Sequence, residues 1–93
     1  MYEVRVQCVG APAKSARAGI DDILDEFKHR PWHTNVQCHI DGQALVLTAV
    51  NDYDSDGLAL LDEFSDAVVA CLDLGEATVS FEVQSVSPLV GRG

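Results

Sequence analysis

Val36-Gln37-Cys38-His39-Ile40-Asp41-Gly42-Gln43-Ala44-Leu45-Val46-Leu47-Thr48-Ala49-Val50 contains two strand-like runs on either side of a turn signal. In the first run Val36, Cys38 and Ile40 alternate with Gln37 and His39, the two-residue period of a strand covered on one face. Asp41-Gly42 predicts a hairpin, because both residues tolerate the positive φ of a tight turn. The second run is apolar at both sets of alternate positions, as a central strand would be.

Upstream, Ala16, Ile20, Ile23, Leu24 and Phe27 recur at three- and four-residue spacing and predict an amphipathic helix. Pro12 suits its opening turn, and Arg30-Pro31 marks where it must have ended. Before it, Tyr2, Val4, Val6 and Cys8 alternate with Glu3, Arg5 and Gln7 in a first strand. Downstream, Asn51 to Gly57 is turn chemistry. Leu61, Phe64, Val68, Cys71 and Leu72 then predict a second helix, beginning near Leu60 or Leu61 and closed near Gly75. Val79, Phe81 and Val83 alternate with Ser80, Glu82 and Gln84 in a last strand, and the chain looks loose from Ser85. The order β-α-β-β-α-β resembles the α+β ferredoxin-like plait, a four-stranded antiparallel sheet with two helices on one face. Ninety-three residues make one domain, expected over residues 1–86, with 87–93 a loose tail.

Fifteen acids against six bases give a net charge of −9, and their distribution is uneven. Residues 31–91 hold ten acids and no Lys or Arg, a field of one sign. Nucleic-acid binding needs cations that displace counterions from phosphates, and few are present. RNA-recognition modules of this topology also need aromatics on the open sheet face, where none is expected. An acylphosphatase-like cradle would need an arginine after the first strand, and Cys8 to Lys14 has none. A membrane span is excluded by length, since the longest uncharged apolar run is Ala44 to Val50. Glu3 and Arg5 interrupt the segment where a signal-peptide core would lie. Cys8, Cys38 and Cys71 form no CxxC and fall at interior positions, so a reduced, cytoplasmic setting is expected.

One motif carries chemistry. Asp52, Asp54, Asp56 and Gly57, followed by Glu63, match the D-x-D-x-D-G-x5-E pattern of a Ca²⁺ loop. Alternate carboxylates would fold round a hard cation, glycine would allow the sharp turn, and Glu63 would close the sphere. A strand rather than a helix enters this loop, and Leu60 stands at the ninth position. The competing reading is that these aspartates cap the free N–H groups of the second helix. No cofactor other than calcium is expected.

Asp22 and Glu26 on the first helix, with Asp62, Glu63 and Asp66 on the second, predict an acidic layer facing a basic protein partner. Leu45 and Leu47 are expected on the open sheet face among polar neighbours, where they would centre a homodimer contact. Trp32 is expected either to lid the core or to anchor a partner. No catalytic triad, acid/base carboxylate pair or nucleotide loop is visible. These features together predict a small, acidic, non-enzymatic module working through protein contacts, with a basic partner or with itself. A calcium-binding domain is one alternative. Another is a small-molecule enzyme or effector-binding dimer with a pocket near His39 and Arg5.

Overall fold

The computed structural model describes residues 1–89. Six elements follow one another as expected: β1 (Tyr2–Val9), α1 (Ala13–Phe27), β2 (Thr34–Asp41), β3 (Ala44–Asn51), α2 (Leu58–Cys71) and β4 (Ser80–Pro88). The four strands pair antiparallel in the order β2-β3-β1-β4. This is a ferredoxin-like plait, with β1 and β3 at the centre.

The hairpin turns one residue later than the Asp41-Gly42 signal implies. Asp41 pairs with Ala44, so Gly42 and Gln43 make the turn, and Gly42 has a φ of 62°. Glycine at the first central position, with no positive φ at the second, is the pattern of a type II′ turn. β2 also carries an irregularity after Thr34, where Asn35 takes a φ of 50°. Asparagine is among the few side chains that tolerate this region.

Register corrects the placement of Leu45 and Leu47. Leu45 lies opposite Cys8 and Ile40, and Leu47 opposite Val6 and Cys38. Directly opposed residues share a face, so both leucines join the helix-covered side, where they are 1% and 0% exposed. They belong to the core and cannot centre a dimer contact. β3 is apolar on both sides, so its own pattern is silent about which side the helices cover. Val46 and Val50 take the open face instead, and Val46 is still buried between Gln7 and His39.

The helices close the core from one side. Ala16, Gly19, Ile23 and Phe27 are the buried stripe of α1. Leu60, Phe64, Ala67 and Val68 are that of α2. Phe64 meets Phe81 of β4 edge-on, with ring centroids 6.0 Å apart. Gly19 lets α1 approach α2, because a Cβ there would lie 2.3 Å from Leu72 Cδ1.

β4 runs to Pro88, beyond the expected end of the ordered domain at residue 86. Arg5 pairs with Ser85 but Val6 pairs with Val83, leaving Gln84 as an extra residue in β4. Such a bulge shifts the alternation by one. The apolar period therefore breaks after Val83 and resumes at Val86, which returns to pack against the core. The last four residues of the expected tail, 90–93, lie outside the described residues.

Gly10 has a φ of 104°, and a Cβ there would lie 2.4 Å from the backbone oxygen of Thr78. Gly10→Ala should therefore lower unfolding free energy by about 2 kcal/mol or more, read from urea midpoints. Burial pushes the Cys38 thiol up to about 12. An unfolded thiol loses its proton near pH ~8.5. The folded state thus holds the proton more tightly, and its stability should fall as pH rises through that value toward the folded one. Between pH 8 and 10 the urea midpoint should drop more steeply in the wild type than in Cys38→Val.

Candidate functional site

Strand polarity brings one set of ends together. Tyr2 opens β1 opposite Asn51 at the end of β3 and Pro88 at the end of β4, while Thr34 opens β2 opposite Val50. The end of α1 and the start of α2 reach the same pole. Pro31 ends the helical path after Phe27, and the turn it begins delivers Trp32 and His33 there.

His33 is the centre of the cluster, and its side chain is wholly buried. Its Nε2 lies 2.8 Å from Glu63 Oε2, and its Nδ1 lies 3.3 Å from Asn51 Nδ2. Asn51 Oδ1 accepts from the backbone N–H of Tyr53 at 3.2 Å and of Asp54 at 2.8 Å. The amide group of Asn51 therefore turns its NH₂ toward His33, which must accept at Nδ1. The proton of the neutral imidazole then sits on Nε2 and is donated to Glu63. A second proton on Nδ1 would set two donors face to face.

Glu63 is held from a second side by Arg30, whose Nε is 3.0 Å from Oε1. Arg30 also donates from Nη1 to the Glu26 carbonyl at 2.8 Å and lies over the Phe27 ring, 5.2 Å from its centroid. Both side chains of this ion pair are about four-fifths buried. Removing one partner of such a pair leaves a desolvated charge, a loss of about 3–5 kcal/mol at full burial and less here. The Trp32 and Tyr53 rings flank His33 at 6.0 and 6.1 Å between centroids. Both are about half exposed. Burial raises the Tyr53 phenol above its ordinary range, and the charges of Glu63 and Asp54 add to the shift. With both imidazole nitrogens engaged and no exposed edge, the network positions the two exposed aromatics rather than presenting a base to solvent.

The aspartate loop is built round backbone donors. Asp54 is 3% exposed. Its Oδ1 accepts from Ala59 N at 3.1 Å and its Oδ2 from Leu60 N at 2.9 Å. Asp56 Oδ1 accepts from Leu58 N at 3.0 Å. Three first-turn N–H groups of α2 are thereby satisfied, and the helix starts at Leu58, two or three residues earlier than expected. Gly57, at φ 79°, makes the entry. Asp52 is exposed, and Glu63 is turned to Arg30 and His33. Among the described residues, no group of three or more His, Cys, Asp or Glu is arranged to hold a metal ion.

The remaining predicted residues are dispersed. Asp62 and Asp66 are exposed on α2, while Glu63 is withdrawn from that face into the network. Asp22 and Glu26 lie on α1 near Cys71, whose thiol is raised first by burial and then by their charges. Arg5 pairs with Asp41 across the open sheet face at 3.3 Å. Asn51, Tyr53 and the pairing of Arg30 with Glu63 are additions that sequence reading missed. The residue types were in view, but their partners are 10 to 33 positions away, and only the fold joins them.

Capping and calcium ligation by Asp54 separate in one experiment. Asp54→Ala should lower unfolding free energy by about 2–3 kcal/mol. The loss should be the same in EDTA as in CaCl₂, whereas ligation would confine it to calcium. In comparisons with known proteins, no family model matches this chain, and no curated protein matches it.

Proposed function

We propose that this protein is a small acidic binding module that docks a basic protein segment at the pole bearing Trp32 and Tyr53. The observation that carries this reading is the distribution of exposed apolar bulk. Among the described residues six large hydrophobic side chains are exposed, and Met1, Trp32, Tyr53, Leu58 and Leu89 all lie at this pole, leaving only Val69 elsewhere. Scattered exposed leucines are ordinary, but clustering on one end is the mark of a contact surface. Trp and Tyr also dominate the energetics of interface centres.

Charge supports the choice of partner. Asp52, Asp56 and Asp62 rim the pole and are exposed. The cations nearby are already engaged, Arg30 by Glu63 and Lys28 by Asp25 at 2.9 Å. The rim therefore attracts Lys or Arg and accelerates encounter, while the aromatics supply the buried contact. Self-association through this pole is disfavoured by the same rim. A two-fold contact would bring two acidic rims together.

A displayed random-peptide selection tests the proposal. Enriched sequences should carry Lys or Arg beside an aromatic or aliphatic anchor. Their affinity should fall about tenfold or more in Trp32→Ala or Tyr53→Ala, and should weaken with salt. Circular dichroism of both variants checks that the fold persists. Enrichment of nothing, or of peptides indifferent to both substitutions, would overturn the reading.

A further inference from the structure

We infer that the outer edge of β2 is a self-association surface, pairing antiparallel with β2 of a second copy about a two-fold axis at Cys38. It does not use the aromatic rings of the pole, and neither reading depends on the other.

The two edges of the sheet are built differently. β4 carries the bulge at Gln84 and ends on Pro88, features that keep an edge from accepting another strand. β2 has no Lys, Arg or Pro anywhere from Thr34 to Asp41. From Pro31 to Ile40 the chain contains no Asp, Glu, Lys or Arg, a neutral strip in a protein of net charge −9. Its one irregularity falls at Asn35, before the regular ladder that runs to Asp41. Among the described residues no strand pairs with the outer side of β2. Val36, Cys38 and Ile40 reach the core but are only partly buried, so their apolar surface is left incompletely covered at this edge.

The hairpin turn fixes which backbone groups are free. Asp41 and Ala44 close the turn, so the N–H and C=O of Asp41 face β3. Alternation then points Gln37 and His39 inward as well, and Val36, Cys38 and Ile40 outward. With Cys38 opposite its own copy, Val36 opposes Ile40 of the partner subunit, and each such pair exchanges two hydrogen bonds. Every outward group of the run is thereby satisfied. Gln37 falls opposite His39 of the partner subunit, and Asp41, the strand's one acid, opposite the partner's Asn35. No like charges face each other, whereas shifting the axis to His39 would set the two imidazoles together. Antiparallel pairing also carries the two Thr34 ends about 26 Å apart at ~3.3 Å per residue, so the acidic poles stay separate.

Sedimentation equilibrium in reductant, with amide exchange followed by NMR, tests the contact. The chain should show reversible monomer–dimer exchange that tightens as NaCl rises, because screening relieves the repulsion of two acidic chains. On concentration, the amides of Val36, Cys38 and Ile40 should become protected, while those of Gln37 and His39 are protected throughout. Gln37 and His39 are exposed, so replacing them should leave the fold intact. Gln37→Lys with His39→Lys sets lysine against lysine twice and should weaken the dimer about tenfold, although it reduces the net charge. Gln37→Glu with His39→Lys sets opposite charges there and should tighten it about threefold. Tyr53→Ala, which impairs the pole, should leave dimerisation unchanged. A chain still monomeric at about 1 mM, concentration-dependent protection elsewhere than β2, or equal behaviour of the two double variants would overturn the inference.

Discussion

The antiparallel register of β1 on β3 is the constraint on which the other placements rest. Val6 faces Leu47 and Cys8 faces Leu45, so one face of the central pair is continuous hydrocarbon. Both helices must lie over that face, because leaving it in water would forfeit about 25 cal/mol for each Å² of apolar surface. β2 and β4 follow the same parity, bringing Cys38, Ile40, Phe81 and Val83 to the covered side. A slip of one residue anywhere in this pairing would exchange the core for the polar set. The bulge at Gln84 is tolerated because it lies on an edge strand, and Val86 restores the parity beyond it.

From that register comes the meeting of loops at the pole of Asn51. The end of β3 carries Asn51, whose side-chain oxygen organises the following turn while its amide fixes the tautomer of His33. Glu63 and Arg30 complete the chain of contacts from the first helix to the second. The acidic residues here have structural work of different kinds. Asp54 and Asp56 satisfy the free N–H groups of α2, and Glu63 compensates Arg30 and accepts from His33. The acidic charge at this pole not engaged in such contacts is smaller than the composition implies and lies on the exposed Asp52, Asp62 and Asp66.

The two ends of the plait thus differ in chemistry. One presents half-exposed aromatic rings on a rigid buried base, inside a rim of carboxylates. The other presents a small-residue cleft beside the start of α1, where Pro12 offers no side-chain cap. Both arise because a βαββαβ chain places loop segments at each end of its sheet, where side chains escape the demands of core packing.

Period and turn chemistry determined the elements by themselves. Alternation at Tyr2–Cys8 and Val36–Ile40, helical spacing at Ala16–Phe27 and Leu61–Leu72, and the glycine near residue 42 suffice for the order and the plait, because these signals are local. The side of the sheet taken by Leu45 and Leu47 was not determined, since β3 is apolar on both faces and only pairing with Val6 and Cys8 distinguishes them. The true end of β4 was hidden by a bulge, whose presence depends on the strand alongside. For the aspartates, spacing matches a cation loop, but the entering strand and Leu60 at the ninth position favour a helix cap. Tertiary structure supplied the contacts that spacing leaves open, bringing Ala59 and Leu60 N–H groups onto Asp54 and Arg30 and His33 onto Glu63. A carboxylate's role follows from which donors reach it, and that depends on contacts distant in the chain.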